Sequence, residues 1–170
     1  MKEREDHMCE ECRPDDAGWD MRSALLNSVL MGLPVPLGAY ALAKYRPRKL
    51  FLYLPAAVGF VTAWRRFVCA RCQYYGKQCS TVMGITTSMM MPRDESKPLD
   101  RNAMIADFAY IGALVLFPLP QAMKKARLGA LYLASGAVAV ASILLNACPR
   151  CGNEFCPMKD LHRAVNGLKG

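Results

Sequence analysis

The sequence predicts an all-α membrane protein with four transmembrane helices, a bundle built from two helical-hairpin repeats that are each followed by a cysteine triplet. Hydrophobic residues make up 53% of the 170 residues, yet the mean hydropathy is only +0.09. Apolar and polar residues must therefore be segregated along the chain. Long uncharged segments and a pattern that occurs twice are the other two observations that predict this fold.

Two segments predict full membrane crossings. Residues 23–43 and 128–149 carry no formal charge over 21 and 22 residues. At about 1.5 Å per residue, each can cross a hydrocarbon core of about 30 Å. A soluble bundle with buried helices is the alternative, but basic residues bound these segments closely. Aromatic residues near the segment ends also favour a membrane, and these are Tyr40, Tyr45, Tyr53 and Trp64.

Two further segments predict the remaining crossings. Residues 102–123 are uncharged except for Asp107, and residues 50–64 are uncharged up to Arg65 and Arg66. Because the apolar pattern resumes after these arginines, we expect both of them to snorkel toward the headgroups. An acid inside a membrane span is costly and often functional, so Asp107 is a candidate proton relay; an interfacial, solvated position is the alternative.

An internal repeat organises the chain. Pro34 and Pro36 are echoed by Pro118 and Pro120, and each pair precedes a basic turn, a second apolar segment and a cysteine triplet. The prolines predict a kink or a helix end in each first helix. We predict three regions: a polar tail with Cys-x2-Cys at 1–22, a first hairpin with its cysteine loop at 23–100, and a second hairpin with its cysteine tail at 101–170.

Eight cysteines are the candidate cofactor- and metal-binding residues. With four crossings, the tail, the middle loop and the carboxyl-terminal region share one side of the membrane, and every cysteine falls there. A Cys-x2-Cys step lets two thiolates bind one metal ion or cluster. Residues 148–152, CPRCG, resemble the ligand turn of rubredoxins and zinc ribbons, where glycine permits the backbone turn. The cysteines are Cys9, Cys12, Cys69, Cys72, Cys79, Cys148, Cys151 and Cys156.

Ligand arithmetic gives two tetrathiolate sites. Each triplet lacks one ligand of four, and the amino-terminal pair can supply both. His7 and His162 are the alternative fourth ligands. Iron–sulfur clusters of the [4Fe–4S] type are the preferred interpretation, with zinc and disulfides as the alternatives. Soft thioethers of a methionine-rich stretch offer a further candidate site, for Cu(I); its residues are Met83, Met89, Met90 and Met91.

The predicted function is electron transfer by a non-catalytic subunit of a larger membrane oxidoreductase complex. Expected partners are membrane lipid, other redox subunits and, as a candidate, a quinone. Three basic side chains would tune the charge of the centres, namely Arg71, Lys77 and Arg150. A thiol-based protein for metal-ion binding or transport is the alternative. A structural membrane subunit with zinc or disulfide-stapled loops is another.

Charge and compartment complete the prediction. The net charge is +8, but basic residues are spread along helix ends, so nucleic acid is not an expected partner. Positive residues favour neither orientation in the membrane. Because thiolate sites are easier to keep in a reducing compartment, we expect a multi-pass protein with its cysteine face in the cytoplasm.

Overall fold

The chain forms helices throughout the part that the computed structural model describes, residues 19–153 and 156–167. Those residues contain no strand. The α-helices are α1 (Met21–Gly32), α2 (Pro34–Tyr45), α3 (Pro47–Val61), α4 (Met83–Met90), α5 (Arg101–Leu116), α6 (Leu119–Ala122), α7 (Ala126–Ser142) and α8 (Pro157–Gly167).

Three of the predicted crossings are present as long apolar helices. In the described part of the chain, the helices long and apolar enough to span a membrane are Met21–Tyr45, Arg101–Ala122 and Ala126–Arg150. Their outer surfaces expose large apolar side chains, among them Leu26 at 58% and Leu133 at 52%. Such extensive exposed apolar surface is typical of contact with lipid, so the chain is consistent with an integral membrane protein.

Proline interrupts the first and third crossings, as the sequence predicts. α1 gives way to α2 at Leu33, and α5 gives way to α6 at Phe117 and Pro118. A carbonyl near each break receives a buried tyrosine hydroxyl. Tyr53 donates to the Val35 carbonyl at 3.3 Å, and Tyr132 donates to the Val115 carbonyl at 2.6 Å. These bonds tie each following helix to the broken one.

The fourth crossing is not confirmed. α3 contains only 15 residues, whereas a transmembrane helix needs about 20. After α3 the backbone tightens into a 3₁₀ turn at Ala63–Arg66. The chain nevertheless packs there against the other helices, because Trp64 and Phe60 both contact the Tyr110 ring of α5.

α2 lies at the centre of the packing and contacts α3, α5, α6 and α7. Its buried residues recur every three or four positions on one face, at Pro34, Gly38, Ala41 and Leu42. Gly38 is required by close approach, since a Cβ there would lie 2.6 Å from the Pro118 ring. The two proline breaks therefore pack directly against each other in the middle of the structure.

Candidate thiol site

The two Cys-x2-Cys motifs in the described residues lie where the α-helical geometry changes at the end of α3 and of α7. α3 leads through Ala63–Arg66 into a 3₁₀ turn at Cys69–Arg71, and α7 leads through a π-helical turn at Ile143–Ala147 into a 3₁₀ turn at Cys148–Arg150. Each turn is closed in the same way. The N–H of the second cysteine donates to the carbonyl of the first, at 3.2 Å for Cys72 and 3.4 Å for Cys151. The two motifs thus share one local geometry.

The two cysteine turns lie next to each other. The backbone N–H of Gly152 donates to the phenol oxygen of Tyr74 at 3.1 Å. The glycine of the second turn therefore serves as a hydrogen-bond donor to the first cysteine loop. In that first loop, Gly76 has a positive φ of 73°, and it turns the chain between Cys72 and Cys79.

The third cysteine of each triplet is held beside its own turn. Cys79 donates its thiol to the Thr81 carbonyl at 2.9 Å and accepts from the Thr81 N–H at 3.4 Å. Cys156 precedes α8, which packs against the end of α7 and the start of α5. The thiol of Cys148 donates to the Met158 carbonyl of α8 at 3.7 Å. Electrostatic interactions link Cys79 to the thiols of Cys69, Cys72 and Cys151, and link Cys156 to those of Cys148 and Cys151. The six described cysteines are therefore neighbours.

Burial raises the pKa of several of these thiols and so favours their protonated form. Burial, and after it the neighbouring thiols, Cys151 among them, raise the pKa of Cys72 to about 12. Burial likewise raises the pKa of Cys151 and Cys156. Burial also raises the pKa of Cys69, although the charge of Arg65 and its hydrogen bond oppose this effect. A metal ion that binds here must displace protons from the sulfurs it takes.

No described cysteine forms a disulfide: all six are free. Nor do three Cys, His, Asp or Glu side chains converge on a point that could hold a metal ion, among the residues that the structure describes. Three predicted ligands, Cys9, Cys12 and the alternative His7, lie outside the described residues. His162, the other alternative ligand, lies on α8.

A buried ion pair joins the start of α5 to this site. Asp107 accepts hydrogen bonds from an Nη of Arg65 and from the indole nitrogen of Trp64, the latter at 2.9 Å. The side chains of Arg65 and Asp107 are only 7% and 10% exposed. Arg65 also donates to the Phe60 carbonyl at 3.0 Å and to the sulfur of Cys69 at 3.7 Å. One guanidinium therefore connects the acid of α5 with the first cysteine.

This contact corrects one expectation. Snorkelling is wrong for Arg65, which is buried because a carboxylate compensates its charge inside the bundle. Arg66, its neighbour, is exposed. The sequence held a partial signal for the pair, because an acid near the start of α5 and an arginine after α3 come to similar levels when the two helices are antiparallel. It does not give the register between the two helices, on which the pairing depends.

The basic residues expected to tune the centres have other contacts. The Nε of Arg71 donates to Asp94 at 2.9 Å, and the Asp94 N–H donates to the Ala70 carbonyl at 3.0 Å. Hydrogen bonds from Ser96 and from Arg71 hold the pKa of Asp94 at about 2. Arg150 lies over the Trp19 ring at 5.7 Å. Both arginines thus brace the segments around the cysteine turns.

The methionine-rich stretch forms α4 and the residue after it. Met89 and Met90 are 82% and 52% exposed. Gly84 of α4 packs against the first cysteine loop, where a Cβ would lie 2.6 Å from the carbonyl oxygens of Tyr74 and Lys77. α4 therefore supports that loop, and the copper site stays a prediction.

The chain matches no protein-family model, no curated protein and no solved structure. Its function must therefore be argued from its own residues.

Proposed function

We propose that this chain is a multi-pass membrane protein that holds thiolate-ligated iron–sulfur clusters at the cysteine end of its helices. It acts there as a non-catalytic electron-transfer subunit of a larger oxidoreductase complex. The observation that carries the proposal is the pair of identically closed Cys-x2-Cys turns, which lie side by side with two further thiols beside them. Bound clusters would supply the one-electron chemistry.

The donor set fits thiolate ligation. Each turn offers two sulfurs of the kind that bind one ion or cluster. Each triplet supplies three of the four sulfurs of a tetrathiolate site, and we assign the fourth of each to the amino-terminal pair, Cys9 and Cys12. Since no three ligand side chains converge among the described residues, metal binding in this proposal also draws the sulfurs of each triplet together. Ligation then folds the tail against the cysteine end and deprotonates thiols that burial otherwise keeps neutral.

Our proposal includes a fourth crossing, which would place this end on one membrane face. α3 and its 3₁₀ extension, Pro47–Val61 and Ala63–Arg66, contain 15 and 4 residues. At about 1.5 Å and about 2.0 Å per residue they span about 30 Å, which is the thickness of the hydrocarbon core. In this proposal the chain is two hairpin repeats, and the cysteine face lies in the reducing cytoplasm.

In this proposal the main role of Asp107 is to hold the side chain of Arg65 in place. The carboxylate fixes the guanidinium, and the guanidinium places positive charge 3.7 Å from the Cys69 sulfur. Charge and hydrogen bonds near sulfur set the reduction potential of a cluster. A coupled proton at Asp107 stays a prediction.

The metal content of anaerobically purified full-length protein tests the proposal. We expect iron and acid-labile sulfide in comparable amounts and a brown colour that dithionite bleaches. Cys72→Ser and Cys151→Ser should each remove about half of the iron, whereas Met89→Ser, which changes an exposed sulfur residue at the same end, should remove none. Stoichiometric zinc in a colourless protein would support a structural site instead. A metal-free protein with eight free thiols would refute metal binding altogether.

A further inference from the structure

A cleft of about 540 Å³ opens beside the first cysteine turn, outside the thiol site itself. Its floor is apolar and includes Ala63, Phe67 and Met91. Charged side chains at its rim are Arg66, Arg93 and Asp94. A volume between about 300 and 1,000 Å³ with few polar groups is typical of a site for a small molecule.

The cleft is positively charged. The carboxylate of Asp94 accepts hydrogen bonds from Arg71 and Ser96, so its negative charge is directed toward them. Among the residues that the structure describes, the ion pair of Arg93 is a long contact, 3.9 Å, with Glu95, and both of those side chains are more than half exposed. Such a pair contributes little to stability. Arg66 is exposed. Two guanidinium groups therefore remain to bind an anion.

The cleft lies where lipid-facing surface meets the charged end of the protein. It begins two residues after α3, whose Val58 and Val61 are 58% and 40% exposed. Phe67, on its floor, is itself 47% exposed. Basic pockets at this level of a membrane protein are suited to lipid headgroups.

We propose that this cleft binds one anionic phospholipid. Arg66 and Arg93 hold the headgroup phosphate, which guanidinium groups recognise through paired hydrogen bonds. Phe67 and Met91 contact the glycerol backbone and the first acyl carbons. The site is independent of the proposed metal centres, although Asp94 connects it to their loop through its bond to the Ala70 carbonyl.

Native mass spectrometry of the delipidated full-length protein in detergent tests this proposal, with phosphatidylglycerol and phosphatidylcholine as probes. We expect one phosphatidylglycerol to bind in preference to phosphatidylcholine. Arg66→Ala and Arg93→Ala should each weaken that binding about tenfold, since one charged hydrogen-bonding partner is lost. Lys97→Ala is the matched control, because it removes the same charge from an exposed position on the same loop.

Three results would overturn the lipid site. The first is equal lipid binding by the wild type and both arginine variants. The second is a loss of binding in Lys97→Ala as large as in the arginine variants, which would mean that the basic surface attracts the lipid without a specific site. The third is displacement of the lipid by inorganic phosphate together with full binding by Phe67→Ala, which would identify a free-anion site. Both arginines are exposed, so the single variants should fold. Elution profiles check this, and Arg93→Gln, which also removes the charge, replaces Arg93→Ala if that variant does not fold.

Discussion

The ion pair between Arg65 and Asp107 gives the sharpest test of how the helices hold together. We consider Asp107→Leu, Arg65→Leu and the double variant. The single changes leave one buried charge without its partner. Asp107→Leu leaves the guanidinium with the Phe60 carbonyl, the Phe60 ring and the Cys69 sulfur. Arg65→Leu leaves the carboxylate with the Trp64 indole.

The expected magnitudes follow from burial. Breaking a buried pair by removing one partner costs about 3–5 kcal/mol, whereas replacing both by apolar residues is often neutral. Since both side chains are at most 10% exposed, each single variant should lose about 3–5 kcal/mol of unfolding free energy, and the double variant about 1 kcal/mol or less. The coupling within the double-mutant cycle, which is the sum of the two single losses minus the loss in the double variant, should therefore be at least about 5 kcal/mol.

The assay is reversible unfolding in mixed micelles under reducing, metal-free conditions, followed by circular dichroism. The control cycle is Arg101→Leu with Asp160→Leu, whose ion pair of 3.0 Å joins side chains that are 63% and 50% exposed. That cycle should show a coupling below about 1 kcal/mol. Single variants that cost less than about 1 kcal/mol, or a double variant whose loss equals the sum of both, would refute the buried pair.

Three other predictions concern the cysteine end. Gly84→Ala should lower the unfolding free energy by about 1–3 kcal/mol, because the new Cβ meets two backbone carbonyl oxygens,. Gly112→Ala is the control: a Cβ there meets nothing within 4 Å, so this variant should stabilise α5. Thermal melts of the two variants compare these effects. Tyr74→Phe should cost about 0.5–1.5 kcal/mol, because the Gly152 N–H loses its acceptor,, and faster hydrogen exchange at that amide would show it. The pKa of Asp94 falls from 3.8 to about 2 on folding. The contribution of this carboxylate to the unfolding free energy is therefore complete above pH 4 and is lost as the pH falls toward 2. Asp94→Asn should flatten the pH dependence of stability over that window, and an unchanged curve would contradict this.

The helices could be predicted from the sequence because their signal is local. Charge boundaries predicted crossings at 23–43, 102–123 and 128–149, and the structure has apolar helices at Met21–Tyr45, Arg101–Ala122 and Ala126–Arg150. The proline breaks were predicted for the same reason, because a proline lacks the backbone N–H that would continue the hydrogen bonding of its own helix.

The contacts between segments could not be predicted in the same way. The sequence showed Arg65 and Asp107 but not their pairing, because that pairing depends on how far α3 rises beside α5. The side-by-side placement of the cysteine turns depends on Tyr74, an aromatic residue that the motif spacing does not single out. Likewise, the cleft forms because the fold brings Arg93 close to Arg66, although 26 residues separate them in the chain.

The buried guanidinium of Arg65 also constrains how the protein can enter a membrane during synthesis. When α3 leaves the ribosome, its end carries two arginines, and the acid that compensates one of them lies 42 residues later in the chain. Until α5 is made, the end of α3 must stay at the headgroups, where water solvates the charge. In the proposed arrangement of four crossings, α3 and α5 therefore settle into the bilayer as one unit, and the first hairpin is complete only when the second supplies Asp107.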